Sequence, residues 1–99
     1  MIITGGENVF PLEVEHVIAE HDEVAEVAVV GIGDEKWGEV VTAFIVPKDK
    51  AVITETDIEI HCKAYLGGYK VPKIIRFVTQ LPKTAVGKID KKQLVEMKA

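Results

Sequence analysis

Residues 82–94 contain the side chains with the clearest potential for chemistry. Within this stretch, Pro82 ends an apolar run and Lys88 directly follows Gly87. Because glycine tolerates a sharp backbone turn, this order predicts a short hairpin that displays Lys88 at its tip. A lysine ammonium is a compact cation that suits a site where negative charge develops. On the residue types alone, a solvated hairpin lysine is the favoured interpretation.

Two adjacent glycines, Gly5 and Gly6, form a second feature near the start of the chain. Adjacent glycines allow a tight turn and leave no side chains to keep a ligand away from the backbone. Glycine content alone favours a simple loop here. Trp37, the only tryptophan, lies in a predicted polar loop at residues 31–39. Two interpretations of Trp37 stay open: it packs over a sheet edge, or it forms the wall of a ligand site.

Other common chemistries lack the residue spacing that they require. His16 and His21 are five residues apart, and no third ligand is in view, so the sequence predicts no metal site. His61 is expected to be a hydrogen-bonded core histidine rather than a catalytic base. Cys62, the only cysteine, excludes an internal disulfide and is expected to be a small core residue. A dinucleotide-binding glycine fingerprint and a P-loop are both absent from the sequence.

The overall composition limits the classes of protein that are possible. The 99 residues suffice for one domain with a small core, and an apolar content of 47% argues against disorder. The net charge of −4 argues against nucleic acid as the main partner. No apolar run reaches the roughly 18 residues that a membrane span needs, and no secretory signal is evident. The single cysteine suits a cytoplasmic location.

The pattern of apolar and capping residues predicts the elements that position these side chains. Strands rich in β-branched residues are predicted at residues 1–3, 24–30, 40–46 and 74–78. Pro11 predicts the start of a first helix, and Thr54 with Asp57 predicts a capping box for a second. Asp90 and Gln93 predict a reciprocal cap for a short third helix. The fold class is therefore α+β, a small three-stranded sheet with flanking helices plus short β-hairpins.

The second helix is predicted to bury one face. Four of its side chains recur at helical spacing, namely Ile58, His61, Cys62 and Tyr65. The paired glycines at residues 67–68 predict its end.

The sequence LPKTAVGKIDKKQL at residues 81–94 resembles the carboxy-terminal motif of adenylate-forming enzymes. This group includes acyl-CoA synthetases, luciferases and peptide-synthetase adenylation domains. Three further stretches, at residues 2–15, 34–39 and 69–73, resemble motifs of the same enzymes and follow the family order. The matches cover nearly the whole chain. The sequence GGENVFP at residues 5–11 resembles the corresponding motif of the acyl- and aryl-CoA synthetase branch.

The resemblance implies that residues 1–99 form the C-terminal small, mobile domain of such an enzyme, with the acyl-CoA synthetase-like fold. The family's phosphate loop, acyl pocket and ribose-binding aspartate belong to a large N-terminal domain, which this sequence lacks. That domain is the implied main partner of the chain. By itself the chain is expected not to adenylate any acid.

For Lys88 the resemblance implies a catalytic role. In the implied reaction a carboxylic acid and ATP form an acyl-adenylate, and coenzyme A then displaces AMP to give a thioester. Lys88 would serve the adenylation half. Its surroundings also resemble a site where relatives are acetylated, which implies a lysine acetyltransferase and a deacetylase as partners. Mg²⁺ is implied for the parent enzyme and would be bound mainly by the missing domain.

For coenzyme A the resemblance implies contacts in the second half-reaction. Gly5 and Gly6 would line the pantetheine tunnel, and Trp37 would form part of the same surface. Tyr69 would lie near the nucleotide, and Lys70 would meet a phosphate. Some relatives carry a basic residue at the position corresponding to residue 71, which is valine here, and this departure places the phosphate contacts in question.

Two alternatives accompany this interpretation. The chain could be the small subdomain of an adenylation unit that loads a carrier protein, which a carrier domain just after it would favour. It could also be a non-catalytic α+β interaction module, in which case Lys88 would be replaceable. The order of the four motifs favours the acyl-CoA synthetase over both.

Overall fold

The computed structural model describes residues 1–96, so residues 97–99 of the predicted domain lie outside it. In chain order the elements are β1 (Ile2–Thr4), β2 (Glu7–Val9), α1 (Pro11–Ala19), β3 (Val24–Asp34), β4 (Gly38–Pro47), α2 (Glu55–Tyr65), a 3₁₀ turn (Gly68–Lys70), β5 (Ile74–Phe77) and α3 (Lys91–Glu96). Among the described residues, no helix is long and apolar enough to cross a membrane.

A long antiparallel hairpin of β3 and β4 forms the centre of the sheet. Its register runs from Val24 opposite Pro47 to Asp34 opposite Gly38, with one irregularity next to Val24. The sheet order is β2-β1-β4-β3, and β5 also pairs with β4. Because β3 covers one edge of β4, the antiparallel β1 and the parallel β5 share the other edge of β4.

The predicted α+β class is confirmed, and the three predicted main strands are present. Two short strands, β1 and β2, extend the sheet to five. The predicted loop over residues 31–39 is wrong, because β3 continues to Asp34 and β4 begins at Gly38. Ile32 is buried within the core and pairs with Val40. This packing outweighs the weak strand propensity of the glycines that flank Ile32.

Local signals explain where the first two helices begin. Pro11 lies at the start of α1, where its fixed φ suits the helix and its missing N–H is not needed. At α2, the N–H of Asp57 donates to the Thr54 hydroxyl at 3.2 Å. The N–H of Thr54 donates to the Asp57 carboxylate at 2.9 Å, which completes the predicted capping box.

Both of these helices pack on one face of the sheet. Their buried residues on that face are Val14, Ile18, Ile58 and Cys62. Tyr65 was expected on the same face of α2, but its side chain is 69% exposed. It lies at the last residue of α2, where its ring tilts against His61 with 5.4 Å between the ring centroids. The buried stripe of α2 therefore ends before Tyr65.

The opposite face of the sheet is covered by α3 and by the segment that precedes it. Leu94 of α3 is fully buried and packs in a second core cluster with Leu81 and Phe44. Burial of one leucine side chain contributes about 1.5–3 kcal/mol to stability. For a helix as short as α3, this anchor matters more than intrinsic helix propensity.

The start of α3 follows the predicted cap only in part. The Asp90 carboxylate accepts a hydrogen bond from the N–H of Gln93 at 3.1 Å, as predicted. The N–H of Asp90 donates to the carbonyl of Pro82 at 2.8 Å, so the predicted return bond from the Gln93 side chain is replaced by a backbone contact. That contact closes the base of the preceding hairpin.

Candidate functional site

The hairpin predicted around Lys88 is present and tightly turned. Lys83 and Ile89 form an antiparallel bridge, and the N–H of Thr84 donates to the carbonyl of Lys88 at 2.7 Å. The N–H of Gly87 donates to the carbonyl of Thr84 at 2.9 Å, and Gly87 has φ +84°. This pattern is typical of a three-residue hairpin loop that ends in a left-handed glycine. The turn places Lys88 directly after the loop.

The side chain of Lys88 lies exposed at the hairpin. Four ion pairs are found within residues 1–96, and all four use other lysines. Two of these, Lys83 and Lys91, lie on either side of Lys88 in the sequence. Among Lys83, Lys88 and Lys91, Lys88 is therefore the one without an ion pair in residues 1–96.

Two acidic side chains hold the ends of the hairpin against β3. Lys83 pairs with Glu26 at 2.8 Å between Nζ and Oε1, and Lys91 pairs with Glu15 at 2.8 Å between Nζ and Oε2. The same Glu15 Oε2 accepts the N–H of Val29, in β3, at 2.8 Å. Sequence reasoning missed both glutamates, because each contacts a partner that is distant in the chain.

The glycine turn between β1 and β2 lies against Trp37. The N–H of Gly5 donates to the carbonyl of Trp37 at 2.8 Å. A Cβ on Gly5 would lie 3.0 Å from Cε3 of Trp37, whereas one on Gly6 would meet no atom within 4 Å. Gly5 therefore allows the ring to pack closely, and Gly6 leaves open space at the surface. The structure brings Gly5 into contact with Trp37, with Gly6 next in the same turn.

Trp37 is 38% exposed and is bordered by cations. Nζ of Lys73 lies 4.3 Å from the ring centroid, and Nζ of Lys36 lies 5.3 Å from it. Both distances fall within the range of cation–π attraction. The Asp34 carboxylate accepts the N–H groups of Lys36 and Trp37 at 3.0 and 2.9 Å, and so shapes this turn. Lys73 was not among the predicted site residues.

Glu39 connects this turn to β1. Its Oε1 accepts the N–H of Ile3 at 2.9 Å. A Cβ on Gly31 would lie only 2.8 Å from its Oε2, so the missing side chain at Gly31 makes room for the carboxylate. The direct register between β1 and β4 consists of Thr4 opposite Gly38. Glu39 therefore supplies an acceptor to β1 beyond that single backbone pair.

Tyr69 and Lys70 lie on the 3₁₀ turn, which contacts β2. Tyr69 is 44% exposed, and Nζ of Lys70 lies 5.7 Å from its ring centroid. Lys70 also pairs with Glu13 of α1, with Nζ at 3.0 Å from Oε1 and 3.2 Å from Oε2. The hydrogen bond to Glu13 raises the pKa of Lys70 above its usual value. Lys70, predicted to meet a phosphate, thus already has an anionic partner.

His61 and Cys62 have the structural roles predicted for them. His61 is half-buried, and its Nε2 lies 2.6 Å from the carbonyl oxygen of Val17. Burial raises the pKa of the Cys62 thiol to about 11. A thiol with so high a pKa is a weak nucleophile at neutral pH. Within residues 1–96, no cluster of three histidine, cysteine or acidic side chains has a geometry that could hold a metal.

The family model of the AMP-binding enzyme C-terminal domain matches residues 13–88. This chain belongs to that family. Its sequence is 50% identical over 96 residues to a 2-succinylbenzoate–CoA ligase of Listeria monocytogenes serotype 4b (strain F2365), covering 97% of this chain and 20% of the ligase. It is 46% identical over 97 residues to a peroxisomal trans-cinnamate:CoA ligase of Petunia hybrida, covering 98% of this chain and 17% of that protein.

Solved structures show the same domain. A fatty acyl CoA synthetase of Mycobacterium tuberculosis superposes with a TM-score of 0.91 at 45% identity, covering 98% of this chain and 19% of the synthetase. The chain thus spans about a fifth of the length of the relatives it matches. The similarity therefore covers nearly the whole chain and is not limited to the four motifs.

The left-handed backbone of Gly87 yields a test of the hairpin. Gly87→Ala should lower the free energy of unfolding by about 1–2 kcal/mol, because a side chain at positive φ clashes with its own backbone. The added Cβ meets no other atom within 4 Å, so backbone strain is the only new term. Chemical denaturation of the chain measures the change.

Gly33→Ala is the matched control for this test. Its Cβ also meets nothing within 4 Å, and its φ lies outside the left-handed region. The control should change stability by less than about 0.5 kcal/mol. Equal destabilisation by both substitutions would contradict the assignment of strain to the Gly87 turn.

Proposed function

We propose that this chain is the C-terminal domain of an ATP-dependent acyl- or aryl-CoA synthetase. The observation that carries the proposal is the exposed Lys88 on a hairpin whose two flanking lysines are both neutralised by glutamates. The CoA ligase names of the relatives support the same reaction class. The parent enzyme would act on a carboxylic acid, ATP and coenzyme A.

In the first half-reaction, a carboxylate oxygen of the acid attacks the α-phosphorus of ATP. A new P–O bond forms, the bond from the α-phosphorus to the bridging oxygen breaks, and pyrophosphate leaves. Negative charge collects on the oxygens around phosphorus in the transition state. Lys88 would stabilise that charge as a compact, preorganised cation. Acetylation of Lys88 would remove this charge and suppress the step.

In the second half-reaction, the sulfur of coenzyme A attacks the acyl carbonyl. A C–S bond forms, the C–O bond to AMP breaks, and the thiol proton passes to solvent. The turn of Gly5 and Gly6 would let the narrow pantetheine arm approach backbone, with Trp37 as one wall. This assignment is supported by the open space beside Gly6 and by the partial exposure of Trp37.

Phosphate groups of coenzyme A would meet the cations on this side of the domain. Lys73 is the stronger candidate, because it faces the exposed ring of Trp37 and forms none of the ion pairs found in residues 1–96. Lys70 would have to exchange its Glu13 carboxylate for a phosphate, and Tyr69 would stack on the adenine. The Lys70–Glu13 pair therefore weighs against Lys70 as the first phosphate contact.

The hairpin of Lys88 and the glycine turn lie toward opposite edges of the sheet. The Lys83–Glu26 pair ties the hairpin of Lys88 to β3, whereas the glycine turn extends from β1, and β4 lies between these strands. One fixed orientation of the domain would present only one of these surfaces to a single active site. We infer that the domain changes orientation between the half-reactions. Mg²⁺ would accompany ATP and, as the resemblance implies, would be bound mainly by the rest of the parent enzyme.

Lys88→Ala in the full-length enzyme tests the first assignment. ATP–pyrophosphate exchange should fall about 10²–10³-fold, because one preorganised cation is lost from the transition state. Conversion of supplied acyl-adenylate and coenzyme A to thioester should be retained. Lys92→Ala, an exposed lysine nearby on α3, is the control and should leave both activities intact. Unimpaired exchange in Lys88→Ala would exclude a catalytic role for Lys88.

Gly6→Trp in the full-length enzyme tests the second assignment. Thioester formation from supplied acyl-adenylate should slow more than pyrophosphate exchange does, because the indole would fill the space left for the pantetheine arm. The KM for coenzyme A should rise in the same variant. Equal losses in the two half-reactions would count against the tunnel, since they indicate damage to the whole domain.

A further inference from the structure

We propose that Glu15 and Glu39 are positioning residues that serve opposite half-reactions. Each carboxylate accepts a backbone N–H of a strand and thereby fixes one of the two loops that carry the chemistry. Glu15 fixes the hairpin of Lys88, and Glu39 fixes the glycine turn. The inference rests on the proposed function and adds to it two residues that act through the loops and not on a substrate directly.

Glu15 joins three elements at one oxygen atom. Glu15 extends from α1, and its Oε2 accepts the N–H of Val29 in β3 at 2.8 Å. The same oxygen lies 2.8 Å from Nζ of Lys91 at the start of α3. The Glu15 side chain is only 16% exposed, so solvent weakens its bond to Val29 little, while the 42% exposed Lys91 side chain leaves the ion pair partly screened. Charge-assisted bonds of this kind are stronger than neutral ones.

The contact matters for Lys88 because of where Lys91 lies. Lys91 begins α3 immediately after Asp90, whose N–H closes the base of the hairpin on Pro82. A shift of Lys91 therefore moves the hairpin segment that runs from Lys88 to Asp90. Lys83 and Glu26 hold the other strand, but both of these side chains are about 40% exposed, so their pair is the weaker restraint.

Glu39 restrains the glycine turn, as Glu15 restrains the hairpin of Lys88. Its Oε1 accepts the N–H of Ile3, two residues before Gly5, where β1 has little backbone pairing with β4. Gly31 has no side chain and leaves room for the carboxylate. Without this acceptor, β1 would retain the Gly5–Trp37 backbone bond and the short β2 pairing. The turn would then be held less firmly against Trp37.

The prediction is a crossed pattern of losses in the full-length enzyme. Glu15→Ala should slow pyrophosphate exchange about 10-fold and leave thioester formation from supplied acyl-adenylate within about 2-fold. Glu39→Ala should do the reverse. These losses lie below the about 10²-fold that a 1 Å misplacement can cause, because each loop keeps its other restraints. A general loss of folding would lower both half-reactions together.

Conservative variants separate positioning from packing. Glu39→Gln keeps an acceptor oxygen for the Ile3 N–H and should retain most of the thioester activity. Lys91→Met keeps much of the side-chain volume at residue 91 but removes its charge, so it should reproduce the exchange defect of Glu15→Ala. Glu59→Ala is the matched control, because the Glu59–Lys63 contact is exposed and 4.0 Å long. It should leave both half-reactions unchanged.

The outcomes distinguish a failure of the two positioning roles from a failure of the proposed function. Crossed losses, with activity retained in Glu39→Gln, support the two positioning roles. Equal losses in both half-reactions, or no loss in either, overturn them when Lys88→Ala and Gly6→Trp still show their separate defects. If Lys88→Ala leaves pyrophosphate exchange intact, the role proposed for Lys88 fails, and Glu15 has no catalytic cation to position.

Discussion

One carboxylate oxygen of Glu15 links the helical face of this domain to its hairpin. It accepts the N–H of Val29 from the edge strand β3 and the ammonium of Lys91 from α3. An edge strand presents unpaired N–H groups, and a charged acceptor from α1 satisfies one of them. The same oxygen then fixes the start of α3, which lies on the other face of the sheet. The second hydrophobic core holds the same hairpin, because Ile89, the residue after Lys88, packs against it.

The domain uses lysines in three distinct ways. Lys83 and Lys91 are neutralised by glutamates and hold the hairpin, while Lys70 is paired with Glu13. Lys73 lies over the ring of Trp37. Lys88 alone among these has neither an ion pair nor an aromatic ring in residues 1–96. Within the described residues, a chain with a net charge of −4 thus leaves the Lys88 ammonium without an ion pair. That arrangement suits a partner rich in phosphate oxygens.

Local chemistry made much of the fold predictable. Pro11, the Thr54–Asp57 box and the turn at Gly87 are signals within a few residues of the backbone they shape. The extension of β3 past Gly31 was not predictable from propensity, because long-range pairing with β4 decides it. The contacts of Glu15 and Glu39 were missed for a related reason. A glutamate on an amphipathic helix or a strand is usually a solvated residue, and only the tertiary fold brings these two to backbone N–H groups of other elements.

A double-mutant cycle on the full-length enzyme tests the central claim that Glu15 acts through Lys88. Pyrophosphate exchange is measured in the wild type, Glu15→Ala, Lys88→Ala and the double variant. If Glu15 only positions Lys88, the loss caused by Glu15→Ala should disappear in the Lys88→Ala background, because no ammonium is left to misplace. A loss of the same size in both backgrounds would contradict the account and would make Glu15 an independent contributor.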